Sequence, residues 1–401
     1  MRILVVHTYY KLKGGEDSVV ANEIELLRSA GMEVELLSFS NSGSTLLKLL
    51  QVPFNYGSYR KTLQKLRDFK PDVVHIHNLH FSGSAAVVYA VKKLNIPIVM
   101  TLHNYRLLCP SGSLYHNNEL FLDSLQPGFA ISAVKNGVYQ NSKAITAWIA
   151  ASMYLHEKLG TWGKIDKFLL LGEHSRDIFS GSKFKGLSDK MVVKPNFCFS
   201  LPAADEDASS ATANHGLPYY LYIGRLTEEK GIPVILSAFA AAGLPLTIVG
   251  TGPLEDLVKD YGSRYPHINF VGAQPKERVF ELLAGASALI FPSVWYETFG
   301  MVVIEAFSAG IPVIASDLGN IKNMVTAGLN GLRFEAGNAK SLQERLAYFE
   351  QLNEEERNAF RLQARETYLT HYSPEANAKQ LIKLYHSVTP GAQCPQVGGL
   401  S

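Results

Sequence analysis

Two doubly wound α/β domains facing across a cleft are the fold class this sequence predicts, and three observations predict it. Strand-like and helix-like segments alternate through the first half, the rhythm stops in an unpatterned acidic stretch, and it starts again beyond. Such alternation argues for parallel sheets covered on both faces. The length of 401 residues agrees, since about 150 residues per domain gives two or three, two being the commoner outcome.

The elements follow in order. Residues 2–9 (RILVVHTY) are a buried strand by their apolar run, and residues 16–30 carry helical periodicity that ends at Gly31, a natural helix stop. Strands at 33–39, 73–78 and 97–103 come next, with helical segments between. Residues 201–216 (LPAADEDASSATANHG) are small, polar and acidic, and read as a surface loop or linker. Strands at 219–223, 245–249, 268–271, 288–291 and 312–315 then alternate with helices. The stretch 341–387 is mostly helical, and its last part is expected to pack back on the first domain. The predicted division is 1–195 with a returning helix at about 370–388, then 196–369, and an aperiodic, disordered tail at 389–401.

Composition excludes several classes. No apolar run reaches the 18 or so residues that span a bilayer. The opening MRILVVHTYY carries one basic residue and too short an apolar run for a signal peptide. Cys109, Cys198 and Cys394 are odd in number and scattered, which argues against a disulfide framework or a CxxC site. The expected location is the cytoplasm. The net charge of +2 hides an asymmetry: residues 1–195 hold 23 basic and 15 acidic side chains, residues 196–401 hold 15 and 21. A basic half points to an anionic surface or substrate, or to uneven drift of surface charge.

The chemistry concentrates at 291–310, FPSVWYETFGMVVIEAFSAG. A strand ends, a loop carries Glu297, and a helix begins with Glu305 eight positions further on. At ~1.5 Å per helical residue the carboxylates are ~12 Å apart, too far to share a metal or a proton. They can hold two parts of one long polar ligand, with the amides of Phe299, Gly300 and Met301 as an anion site between them. Hydroxyls at each end and a phosphate between describe a nucleotide sugar; a helix-capping Glu297 and a solvated Glu305 are the other reading. In YIGRLTEEKG (222–231), Arg225 and Lys230 follow a strand and suit a diphosphate leaving group, unless they are surface cations flanking Glu228 and Glu229. IVGTGP places Gly250 and Gly252 in a turn able to let a base or phosphate approach the backbone. It fails as a dinucleotide fingerprint because the sixth position is Glu255.

ETFGMVVIE resembles the E-x7-E motif of the family 4 retaining glycosyltransferases, and GRLTEEKG resembles their basic phosphate-binding element. GGE (14–16), PDVVHIHN (71–78), TLHNYRLLCP (101–110), VKPNF (193–197), IVGTGP and GIPVIASDLGN (310–320) extend the resemblance over nearly the whole chain. It implies a GT-B fold of two Rossmann-like domains, the donor mainly on the C-terminal one, the acceptor mainly on the N-terminal one, and a final helix crossing back. It also implies that Glu305 binds the donor ribose, Arg225 and Lys230 grip the diphosphate, and Glu297 with the following amides orients the sugar. His103 would reach a sugar hydroxyl from the opposite domain, and Gly14 and Gly15 would form a loop approaching the diphosphate. Retention would then run by a front-face mechanism, since no residue stands out as an enzymic nucleophile and the departing diphosphate can take the acceptor proton. No metal or cofactor is required beyond a UDP- or GDP-type donor.

Two departures from the pattern concern local loops. Asn323 stands where the family commonly has glutamate, and Gly319-Asn320 where it often has Gly-Gly. Relatives carrying HNYRLLCP often show further cysteines just downstream; residues 111–135 hold none, so a metal there is not expected.

His75, His77 and His80 in HIHNLH raise a metal site, but no acidic partner is expected close by, so buried or cleft-edge histidines and an acceptor contact are the readings retained. GSYRKTLQKLRDFK (57–70) is basic and amphipathic, preceded by the apolar LLKLLQVPF. It can lie on an anionic membrane or pack its apolar side on the core. The predicted activity is therefore retaining transfer of a sugar from a nucleoside diphosphate to a glycan or lipid-linked acceptor, in cell-surface polysaccharide or glycolipid synthesis. A nucleotide-sugar epimerase and a catalytically silent nucleotide-sugar scaffold are the alternatives. Nothing points to nucleic acid.

Overall fold

The computed structural model describes residues 1–10, 14–41, 45–200 and 218–389. The predicted linker at 201–216 and all but the first residue of the predicted tail, Cys394 included, lie outside them. Two compact units form: one from residues 1–116, 121–196 and 374 onward, the other from 197–373 with the short piece 117–120.

The first unit is a six-stranded parallel sheet. Its strands are β1 (Arg2–Tyr9), β2 (Glu33–Ser40), β3 (Val73–Ile76), β4 (Ile98–Leu102), β5 (Lys167–Leu170) and β6 (Met191–Val193), in spatial order β2-β1-β3-β4-β5-β6. Helices α1 (Gly15–Ser29), α2 (Tyr56–Phe69), α3 (Ala86–Lys92), α4 (Lys143–Lys158) and α5 (Glu173–Ser180) connect them. β5 and β6, four and three residues long, are not among the strands expected from the sequence, since runs this short give no period-2 signal. α1 buries Val19, Val20, Ile24, Leu26 and Leu27, and with them a carboxylate, Glu23. α2 buries Leu63, Leu66 and Phe69, so its apolar side is committed to the fold.

The second unit repeats the plan with β7 (Tyr219–Ile223), β8 (Leu246–Val249), β9 (Ile268–Gly272), β10 (Ala286–Phe291), β11 (Val313–Ser316) and β12 (Gly331–Phe334). Their order is β9-β8-β7-β10-β11-β12, all parallel. The order reverses between β7 and β10, and ligands of such sheets sit at the strands' C-terminal ends beside that reversal. Helices α6 (Ile232–Ala242), α7 (Glu255–Arg264), α8 (Lys276–Ala284), α9 (Met301–Ser308), α10 (Ala339–Gln351) and α11 (Glu354–His371) complete it.

After α11 the chain returns to the first unit as α12 (Pro374–Val388). Leu381, Ile382, Leu384 and Tyr385 join Ile3, Val5, Val20, Leu27 and Val99 in one buried cluster, and Asn377 donates to the carbonyl of Pro195. The returning helix expected from the sequence is thus a core element.

Candidate functional site

In the second unit, three loops leave the C-terminal ends of β7, β8 and β10 and are tied together backbone to backbone. The amide of Leu226 donates to Thr251 O at 2.9 Å, Leu254 to Leu226 O at 3.0 Å, and Val294 to Glu229 O at 3.0 Å. Glycines permit this closeness. A Cβ on Gly250 would lie 1.8 Å from Gly224 O, one on Gly252 2.4 Å from Leu226 O, and one on Gly231 1.9 Å from Pro292 O. Gly231 also has φ +74° and Gly250 φ +143°, where side chains are strained. This revises the reading of IVGTGP: what approaches Gly250 and Gly252 through the missing Cβ is the chain's own backbone.

The seam holds Lys230 and Glu297 together across the reversal between β7 and β10. Lys230 Nζ donates to Glu297 Oε1 at 2.6 Å, and Ser293 Oγ donates to the same oxygen at 2.7 Å. Glu297 is buried, and the ammonium lies 5.3 Å from the centre of the Trp295 ring. Neither Glu297 as a plain helix cap nor Lys230 as a solvated cation describes this. Arg225 differs: its side chain is 65% exposed and only 3.5 Å from Glu229, so its guanidinium can swing onto an anion. Two buried polar atoms of the same loops, Thr227 Oγ1 and Trp295 Nε1, have no hydrogen-bond partner.

Helix α9 begins after Glu297, with Gly300 as its N-cap and Phe299 buried against Tyr372 at a ring separation of 6.0 Å. The amides there belong to the first turn, which an α-helix leaves without intrahelical acceptors. The loop's shape depends on a residue the sequence reading raised only as a departure. Asn320, buried, donates from Nδ2 to Glu297 O at 3.2 Å and to Thr298 O at 2.8 Å. Asn323 is exposed on the short helix that follows. Glu305 sits apart on α9, where burial raises its carboxyl above the ordinary value and Lys276 partly offsets this.

In the first unit, polar residues gather at the C-terminal ends of β1, β3 and β4. Gly14 and Gly15 open α1; neither has a positive φ, and a Cβ on either would meet nothing within 4 Å. The fold does not require glycine there. Asp17 holds the turn by accepting from the Gly14 amide at 3.1 Å and bonding His7 Nε2 at 2.8 Å. Glu16 beside it is pushed up to about 8 by burial, with Asn78 and Arg106 opposing and Asp17 assisting.

The three histidines of HIHNLH separate. His75 is wholly buried and hydrogen-bonded to Tyr385 at 2.7 Å and Thr101 at 2.8 Å, so it is a core residue and no acceptor contact. His77 is buried with Nδ1 2.9 Å from His103 Nε2. His80 packs on Phe81, and burial together with Arg106 holds it well below its ordinary value. The premise that no acidic group is near them is wrong: Glu23 lies 2.9 Å from His75 Nδ1 and 3.1 Å from His77 Nε2. These three could in principle ligate a metal. Lys194, 1% exposed, already supplies the cation, with Nζ 2.9 Å from Glu23 Oε2. A cavity of about 110 Å³ opens beside the network, with His77, His80, His103, Arg106, Phe81 and Trp162 in its wall.

Both halves of the chain match known families. Residues 13–163 match the family described as Glycosyltransferase Family 4, and residues 204–367 match Glycosyl transferases group 1. The chain is 24% identical over 280 residues to a Mycobacterium tuberculosis glycogen synthase, an alignment that covers 68% of this chain and 58% of that protein. It is 24% identical over 373 residues to a Mycobacterium leprae phosphatidyl-myo-inositol mannosyltransferase, covering 86% of each. Among solved structures, a glycosyltransferase from Rickettsia africae superposes with TM-score 0.70 at 16% identity, over 98% of this chain and 99% of that one. Anabaena HepE in complex with UDP-glucose superposes with TM-score 0.63 at 16% identity, over 96% and 100%.

Proposed function

This chain belongs to the family 4, group 1 glycosyl transferases and has their GT-B fold, and from that premise we propose that it transfers a sugar, with retention, from a nucleoside diphosphate to a glycan or lipid-linked acceptor. The observation that carries the proposal is the Lys230–Glu297 pair at the strand-order reversal of the second unit, with the largely exposed Arg225 on the same loop as Lys230. A UDP- or GDP-type diphosphate lies against Arg225 and Lys230, whose charge stabilises it as it departs. Glu297, its carboxylate anchored by Lys230 and Ser293, orients the sugar with the amides of Phe299, Gly300 and Met301. Glu305 takes the ribose hydroxyls. Gly14 and Gly15, open where a Cβ would be, leave room for the diphosphate, and His103 takes a sugar hydroxyl. The UDP-glucose bound by HepE supports this donor class, and the mannosyltransferase relative supports a lipid-linked acceptor in glycolipid or cell-surface polysaccharide synthesis.

Peripheral contact with an anionic membrane at the cytoplasmic face belongs to the same proposal, in altered form. Lys61, exposed, donates to Ser38 O and Lys65 pairs with Glu35, while Arg60 and Arg67 are further exposed cations of α2. Apolar side chains are exposed nearby at Leu50, Phe54 and Tyr56, and at Trp148, whose Nε1 donates to Leu49 O. No helix among the described residues is long and apolar enough to cross a membrane. Charge reversal at Arg60 and Arg67 should reduce binding to anionic liposomes; unchanged binding removes this part.

The central test is a melting-point screen against UDP, GDP, ADP and their sugars, because a ligand bound only by the folded state raises the midpoint. One nucleotide series should stabilise the wild type, and Glu305→Ala should weaken that effect. Arg225→Ala should depress turnover more than ground-state binding. Wild-type behaviour in both variants overturns the assignment, and isomerised nucleotide sugar formed without acceptor would show an epimerase instead.

A further inference from the structure

The cavity of the first unit combines an apolar wall with one charged side chain. Leu79, Phe81, Leu107, Ile149, Met153 and Trp162 surround a space of about 110 Å³, and Arg106 stands among them. The histidines of the wall add no charge at neutral pH. Burial, with His75 assisting, pushes His77 down to about 4; burial also lowers His156 and holds His80 and His103 well below their ordinary values.

Arg106 is a cation that lacks an anion. It makes no ion pair among the described residues. Its Nη1 donates to Pro110 O at 3.3 Å, its guanidinium lies 5.9 Å from the centre of the Tyr139 ring, and its Nε is buried with no hydrogen-bond partner. The acidic groups near it are held in their neutral forms. Burial raises Glu16 to about 8 and raises Tyr10 and Tyr139, in each case against the pull of Arg106. A half-buried guanidinium with neutral groups about it is costly to hold, and its fork matches a phosphate better than it matches a lone carbonyl.

The apolar wall continues to the surface. Val52 belongs to it and lies between the exposed Leu50 and Phe54. Helix α4 contributes Ile149 and Met153 to the wall, while Trp148 and Leu155 of the same helix are exposed. His156 joins the two segments by donating from Nε2 to Pro53 O at 2.7 Å. A chain seated in the cavity therefore has an apolar surface beside it on which its remainder can lie.

We propose that this cavity takes the apolar chain of an amphiphile whose phosphate is bound by Arg106, so that the acceptor of the sugar is a phosphate-bearing amphiphile and not a free glycan. The acceptor role rests on the sugar-transfer reading; the binding of a phosphate-bearing chain does not.

Alkyl phosphates below their micelle concentration provide the test, by titration calorimetry on the full chain. Octyl phosphate should bind at least tenfold more tightly than octanol, as charge-assisted hydrogen bonds require, and at least about 100-fold more tightly than inorganic phosphate. It should exceed hexyl phosphate roughly 15-fold, since each buried methylene contributes about fourfold. Arg106→Gln should erase the advantage over octanol and leave octanol itself unchanged. Ser152→Leu, which enlarges a side chain of the wall, should weaken octyl phosphate and octanol alike. Octanol equal to octyl phosphate, or octyl phosphate undiminished in Arg106→Gln, overturns the phosphate assignment. Octyl phosphate no tighter than hexyl phosphate, or undiminished in Ser152→Leu, overturns the cavity assignment. The wild-type series decides both points should neither variant fold. Sugar transfer to a phosphate-free glycan that proceeds equally in the wild type and Arg106→Gln overturns the acceptor role. Octyl phosphate bound as described by a protein that binds no nucleotide sugar would leave the amphiphile site intact and overturn the transfer reading.

Discussion

The two units carry polar chemistry at the same place in the same kind of sheet, yet arrange it oppositely. In the second unit a lysine and a glutamate from the loops after β7 and β10 meet at 2.6 Å, with a largely exposed arginine beside them. In the first unit the ion pair, Glu23 with Lys194, is sealed in the core, and what it holds in place is a pair of neutral histidines. The second unit thus presents a guanidinium that is largely exposed, whereas the first keeps its ionic charge in the core behind neutral rings. The fold supplies the position, and the depth of the ion pair decides the kind of chemistry presented there.

Substitutions can break this contrast, the most damaging first. Lys194→Met leaves the Glu23 carboxylate buried without its cation and should cost about 3–5 kcal/mol, read as a fall in the denaturant midpoint. An effect below about 1 kcal/mol would mean that the pair is not what charges Glu23. Lys230→Ala should lower turnover roughly 100-fold, and its effect on the melting point should be smaller than that of Lys194→Met because Ser293 still donates to the Glu297 carboxylate. Glycines sharpen the comparison. Gly250→Ala forces a Cβ to 1.8 Å from Gly224 O at φ +143° and should destabilise by about 1–3 kcal/mol or more. Gly15→Ala meets open space and should leave stability within about 0.5 kcal/mol while reducing donor turnover.

A further expected effect depends on pH. The Glu16 carboxyl is raised to about 8 in the folded chain from an ordinary value near 4.5. Between those values the folded state holds a proton that the unfolded state has lost, so stability falls as pH rises through that window. Glu16→Gln, which mimics the protonated form, should raise the melting point at pH 8, and the gain should vanish near pH 4.5. An equal gain at both pH values would show that Glu16 is not held protonated.

Much of this was legible in the sequence because the relevant signals are local. β7 was read residue for residue, the start of α1 within one residue of Gly15, and the order of motifs pointed to a two-unit sugar transferase. What escaped is non-local. Glu23 lies within an apolar helical stripe of Val19, Val20, Ile24 and Leu27, and a carboxylate on such a face is itself a signal that a buried cation must exist elsewhere. That cation, Lys194, is 171 positions away. The purpose of Gly231, Gly250 and Gly252 was likewise hidden, since a glycine required by a neighbouring loop looks in sequence like one left open for a ligand. Asn320 was visible only as a departure from a pattern; its two hydrogen bonds to the Glu297 loop give it a positioning role.

The hydroxyl of Tyr385 on His75 ties the first unit's histidine network to a helix 310 positions further along the chain. A nascent chain emerges amino end first, so the sheet begun by residue 2 lacks part of its core until residues 381–385 have been synthesised. The second unit, encoded later, can close earlier. The half made first is therefore finished last, and a chain interrupted before α12 would display an unfinished first unit to the cell's quality control, however well its second unit had folded.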